Sequence, residues 1–244
     1  MLEVKGLHKN FGHIKAVRGI SFTVNKGEVL GVLGPNGAGK TTTMRMITGF
    51  LPPSAGTATV CGCDITQDPV GAKRSIGYLP ENAPGYQSMT VTSFLAFVAD
   101  IRGYRGQEKQ DRIDSTIKKC RLEKVRNQTI GTLSKGYRQR VCFSQAILHD
   151  PPVLIMDEPT DGLDPNQKFV VREMIKEMAG QKAIIVSTHI LEEVDAVCTK
   201  AIIIANGTIV ANGTPEQLRA KNPSGRLEDV FRMLTTGEEG IKNG

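Results

Sequence analysis

Between Gly34 and Thr41 the chain reads GPNGAGKT, spaced glycines closed by a lysine and a hydroxyl residue. Glycines at that spacing let backbone N–H groups turn inward on a phosphate chain. The lysine reaches the β and γ phosphates, and the threonine offers its hydroxyl to Mg²⁺. The phosphate contacts expected here are Gly34, Pro35, Asn36, Gly37, Ala38, Gly39, Lys40 and Thr41, with Thr42 next in the chain. A second element, VLIMDEPT, ends an apolar run in two adjacent acids, Asp157 and Glu158. At the end of a buried strand Asp157 suits the Mg²⁺ shell and Glu158 is placed to polarise an attacking water. A third, LSKGYRQR from Leu133 to Arg140, again combines a hydroxyl, a lysine, a glycine and arginines. A helix opening at Ser134 and Gly136 and running through Val141, Phe143 and Ile147 aims its positive end at an anion. With one phosphate loop already supplied with donors, this second cradle poses the question of whose phosphate it holds.

These residues need a scaffold. Short, nearly continuous apolar runs at 29–33, 153–156, 183–186 and 201–205 read as strands buried on both faces of a sheet covered by helices. The phosphate loop directly follows the first run and precedes the helix-like TTTMRMIT, which is the context the motif requires. Val170, Val171, Met174, Ile175 and Met178 recur at helical spacing, predicting a helix over 167–178. Asn206-Gly207 between apolar runs predicts a tight hairpin. The stretch 82–149 is helically patterned and rich in Arg and Lys, whose charges read as solvated helix faces. After Pro223, Leu227, Val230, Phe231 and Leu234 mark a short amphipathic helix ahead of a polar tail; docking on its own domain is the favoured expectation.

Composition narrows the function classes. At 244 residues and 39% hydrophobic content, one core with a sizeable insertion fits best. No apolar run approaches the ~20 residues that cross a bilayer, and MLEVKGLHKNFG lacks the apolar centre of a secretion signal, so a soluble, unexported chain is expected. Five cysteines without a CxxC spacing suggest reduced thiols in the cytosol. A net charge of +6 suits an anionic nucleotide or an acidic membrane surface; without a single-faced basic run or stacking aromatics, no nucleic-acid partner is expected.

In order and spacing these motifs resemble, over nearly the whole chain, the ATP-binding cassette, the nucleotide-binding subunit of ABC transporters. The resemblance implies an α/β fold: a P-loop NTPase core with an antiparallel β subdomain and an α-helical insertion. It implies a cassette at 1–220, with the insertion at about 82–149, and a C-terminal helix and polar tail at 221–244. ATP and Mg²⁺ are the implied cofactors. Glu158 and His189 are the implied catalytic pair, His189 in VSTHIL matching the histidine that contacts the γ phosphate. Phe11 matches the aromatic that stacks on adenine, and Thr41, Glu81 and Asp157 match the Mg²⁺ ligands. Ser134, Lys135, Gly136 and Tyr137 match the family's signature, usually LSGGQ, which caps the ATP of a second subunit in a head-to-tail dimer. Asp161 and Asp164 in PTDGLD match the loop crossing between subunits.

Glu81 stands where the family more often has glutamine, Lys135 replaces the first signature glycine, and Tyr137 replaces the glutamine. Together with the LEDVF tail, these departures resemble a branch of single-cassette exporters. The implied partners are a second nucleotide-binding subunit, identical or not, and an integral membrane permease. The implied location is cytoplasmic, peripheral on the cytoplasmic face of the cell membrane. A soluble cassette switching cofactor assembly, translation or repair is the competing expectation. A simple nucleotide kinase leaves LSKGYRQR, PTDGLD and His189 without a role.

Overall fold

In a computed structural model, which describes residues 1–81 and 86–236, the strand VLGVL is buried at every position, as a strand covered on both faces must be. In chain order the elements are β1 (Leu2–Phe11), β2 (Ile14–Val24), β3 (Val29–Leu33), α1 (Lys40–Ile47), β4 (Ala55–Val60), β5 (Cys63–Asp64), α2 (Pro69–Arg74), β6 (Ile76–Leu79), α3 (Val91–Ile101), α4 (Gly106–Lys119), α5 (Lys135–Ile147), β7 (Val153–Asp157), α6 (Pro165–Ala179), β8 (Ala183–Thr188), α7 (Leu191–Val197), β9 (Lys200–Ala205), β10 (Thr208–Gly213), α8 (Pro215–Arg219) and α9 (Leu227–Thr236).

Six strands form one sheet in the order β10-β9-β3-β8-β7-β6, parallel except for β10, which returns antiparallel beside β9. The turn between those two strands is the expected Asn206-Gly207, with both residues at positive φ, 49° and 78°. Strand register decides which residues meet at the end of this sheet. Leu33 pairs with Thr188 and Asp157 with Ser187, so β3, β8 and β7 deliver Gly34, His189 and Glu158 to one edge. Ligands of parallel sheets gather at that carboxyl edge.

A second, antiparallel sheet, β2-β1-β4-β5, packs on one face. Its Leu2, Val4, Leu7 and Ile20 share a core with Leu30, Val32, Ile155 and Ile185 of the first sheet. On the other face α3, α4 and α5 bury Phe94, Leu95, Ile113 and Phe143 against Leu154, Met156 and Val186. Cys61 occupies a turn and Cys63 lies in β5. The helix after Pro223 docks on its own chain: Leu227 and Val230 are buried with Leu33, Val194, Ile203 and Leu218, and Phe231 and Leu234 pack beside them. The start of the expected insertion, 82–85, and the polar tail, 237–244, lie outside the described residues. Among the described residues no helix is long and apolar enough to cross a membrane.

Candidate active site

After β3 the chain must reverse around a small radius, and two glycines make this possible. A Cβ on Gly34 would collide with the Ile204 carbonyl oxygen, and one on Gly39, at φ 104°, would lie 2.6 Å from the Ala16 oxygen. The loop is then pinned from outside by the Gly207 N–H, which donates to the Ala38 carbonyl at 3.0 Å. Helix α1 starts at Lys40 with no side chain capping its first turn. Its leading N–H groups and dipole therefore face a cleft of about 510 Å³, lined by residues 35–42 together with Ala16, Glu81, Glu158, Asp161 and His189.

Lys40 is buried, and its Nζ donates to the Gly34 carbonyl at 2.8 Å and the Pro35 carbonyl at 3.3 Å. It also lies 3.5 Å from Glu158 Oε1. Glu158 sits at φ 49°, a conformation uncommon for a side-chain-bearing residue. Its N–H is held by the Ser187 carbonyl and hydroxyl, both at 3.1 Å. That backbone turns the carboxylate away from the strand axis, so Oε2 meets His189 Nδ1 at 2.9 Å while the other imidazole nitrogen lies 4.0 Å from Asp161.

One residue earlier, Asp157 is wholly buried. Ser187 Oγ donates to its Oδ1, whereas Oδ2 has no hydrogen-bond partner. A buried carboxylate oxygen without a donor is costly unless a cation or an ordered water faces it. The neighbouring Tyr78 hydroxyl is pushed up to about 12, first by burial and then by the Asp157 charge.

The second cradle lies elsewhere. Ser134 caps α5, its Oγ accepting the Tyr137 N–H at 3.4 Å, so this helix start already satisfies one of its own donors. A Cβ on Gly136 would lie 2.5 Å from Gln167 on α6, so the small residue lets the two helices approach. Lys135 lies against Gly162 of the 159–164 loop, and Gln139 Nε2 donates to the Pro159 carbonyl at 3.0 Å. None of residues 134–137 lines the cleft.

A family model described as ABC transporter matches residues 17–161, from the second strand through the paired acids to Asp161. The chain belongs to the ABC transporter family. It is an ATP-binding cassette subunit and an ATPase of that family. It is 40% identical over 220 residues to the ABC transporter ATP-binding protein NatA of Bacillus subtilis (strain 168), covering 89% of each chain. The Nod factor export ATP-binding protein I of Ralstonia nicotianae (strain ATCC BAA-1114 / GMI1000) is 36% identical over 219 residues, covering 89% of this chain and 68% of that protein. A solved structure of the ATP binding subunit of an ABC transporter superposes with a TM-score of 0.85 at 31% identity, covering 96% of this chain and 99% of that one.

In this ABC cassette the fold brings Pro35 to Thr42, Glu81, Glu158, Asp161 and His189 together, with Asp157 directly behind them. Gly34 contributes its carbonyl to Lys40. Phe11 is not among the residues lining the cleft; the residue is 48% exposed, with Lys9 Nζ 5.3 Å from its ring centroid. Asp164 caps α6, its Oδ1 accepting the Gln167 N–H at 3.0 Å, so that carboxylate is engaged within its own chain. Two contributors escape a reading by motif, Ala16 and Ser187. The only signal for Ser187 is a small hydroxyl residue two places before His189 at the end of an apolar run, which parallel register sets beside Asp157.

Proposed function

We propose that this subunit drives a separate membrane permease by clasping ATP between two cassettes and hydrolysing it. The phosphates lie against the loop N–H groups at the start of α1, and the Lys40 ammonium passes from the Gly34 and Pro35 carbonyls and Glu158 to the outer phosphates. Glu158, released from Lys40, accepts a proton from the water whose oxygen attacks the γ phosphorus. ADP departs with the electrons of the broken bond. His189, held by Glu158, contacts the transferred phosphoryl group, and Phe11 offers a platform for adenine.

Thr41, Glu81 and Asp157 would hold Mg²⁺, and the unpartnered Asp157 Oδ2 fits that assignment. When bound, the ion neutralises charge on the β and γ oxygens. The observation that carries the reading is the separation of the two cradles. Lys40, Glu158 and His189 share one cleft, while Ser134 to Tyr137 lie outside it and are left to hold the ATP of a second cassette, identical or not. Asp161 and Asp164 then lie at the boundary between the two.

The permease docks where α3 and α5 meet the end of α1. There a groove of about 530 Å³ is lined by Phe50, Lys73, Tyr78, Val98, Arg102 and Gln145, with Phe50 74% exposed. The cassette spans 1–220 with its insertion at about 82–149, and the segment 221–244 beyond it carries α9. Export is the direction that the Nod factor relative's name favours. The subunit then works on the cytoplasmic face of the membrane. Affinity purification from detergent-solubilised membranes tests this: a permease is expected in stoichiometric amounts, and recovery from the soluble fraction alone favours the switch reading instead.

A further inference from the structure

Glu193 on α7 is 2% exposed. Its Oε1 accepts the Thr160 hydroxyl. Thr160 is buried as well. Arg172 of α6 lies 3.7 Å from Oε1, but its Nε and Nη2 have no hydrogen-bond partner, so the close partner of the acid is the Thr160 hydroxyl and not the guanidinium. Burial raises the carboxyl above its ordinary range, with Arg172 opposing. A buried acid is a poor way to gain stability when an apolar residue of similar volume would pack as well. What this one does is connect the loop after β7 to α7. Thr160 is two residues beyond Glu158, and α7 begins two residues after His189.

We propose that Glu193 is a positioning residue for ATP hydrolysis. By joining Thr160 to α7 it holds the segments that carry Glu158 and His189 in the register that sets those two side chains 2.9 Å apart. It touches neither nucleotide nor water. Without it ATP still binds, because the α1 loop is built separately, but base and histidine lose their common alignment. Misplacement of a reacting group by about 1 Å costs on the order of 10²-fold in rate.

The inference rests on the ATPase reading and is tested by steady-state hydrolysis and nucleotide titration on the full chain. Thr160→Val keeps the side-chain shape and removes the donor; kcat is expected to fall at least about tenfold with KM within about twofold. Glu193→Ala is expected to fall as far, and the double variant no further than Glu193→Ala alone. Glu193→Gln, whose amide oxygen still accepts a hydroxyl, is expected to keep kcat within about threefold of wild type. Wild-type kcat in Thr160→Val overturns the proposal. So does a parallel loss of kcat and ATP affinity, a Gln variant as impaired as Ala, or losses that multiply in the double variant. A wild-type chain that binds no ATP and releases no phosphate overturns the ATPase reading and this inference together. An active wild type matched by Thr160→Val overturns this inference alone.

Discussion

Two helix starts in this molecule share a vocabulary of small residue, glycine and lysine, yet their surroundings differ. At α1 no side chain caps the first turn, and the chain walls the opening with Glu158, His189 and Glu81. At α5 Ser134 caps its own helix, as Thr90, Asp164 and Thr214 cap α3, α6 and α8, and residues 134–137 lie outside the cleft. An uncapped start inside a polar cleft is half of a binding site, its orphan donors kept for a ligand. A capped start on the surface gains an anion only when another molecule brings one. The composition of a cradle thus says what a segment can hold, and the walls around it say whose ligand it is.

The sharpest way to break this comparison is at the base. Glu158→Gln keeps the shape and the Ser187 contacts to its backbone while removing the proton acceptor, so turnover is expected to fall about 10²–10⁴-fold with ATP still bound. Phosphate release in parallel with a fluorescent-nucleotide titration measures both quantities, and wild-type turnover would remove Glu158 from the role. Next in size is Lys40→Ala. Loss of charge-assisted bonds worth about 1.5–3 kcal/mol weakens ATP binding roughly 10- to 150-fold. The weakening is expected at any protein concentration, because α1 belongs to a site the monomer builds alone.

Ser134→Ala should behave in the opposite way. ATP affinity of the dilute monomer is expected to stay within about twofold. Thermal stability should drop by about 0.5–2 kcal/mol for the lost cap, and ATP-dependent association should weaken. A fall in monomer affinity like that of Lys40→Ala would erase the distinction between the two starts.

The smallest expected effect lies just beyond the far end of α5. There His149 Nε2 donates to the Ile76 carbonyl at 3.0 Å, and burial, aided by Arg102, lowers the imidazole to about 4. An unfolded histidine titrates at ~6.5, so between those values the unfolded chain binds the extra proton. This histidine's contribution to stability is therefore present above pH ~6.5 and is lost as pH falls towards 4. His149→Gln is expected to flatten that part of the pH dependence in a wild-type-minus-variant comparison of unfolding midpoints. An unchanged slope would show that the imidazole is free to ionise in place.

Much of this was legible in the residues themselves. β3, β7, β8 and β9 announce themselves because strands covered on both faces become unbroken apolar runs, and the α1 loop because its glycines answer a steric demand. The antiparallel sheet was implied only by the resemblance. β1 alternates less regularly, with register shifts between Val4 and Leu7 and between Leu7 and His8. Ser187 was hidden because its partner Asp157 is thirty residues away and only strand register joins them. Glu193 was hidden for a related reason. Nothing in LEEVD distinguishes an acid facing water from one enclosed by Thr160 and Arg172, since the enclosing groups come from two other parts of the chain.

The central claim is that one nucleotide is held by α1 of one cassette and α5 of another. Sedimentation of the Glu158→Gln variant across a dilution series, with and without ATP, tests it most directly. The expected result is a dimer carrying two ATP molecules that dissociates when Ser134→Ala is added to the variant. A nucleotide-loaded species that stays monomeric at every concentration would contradict it.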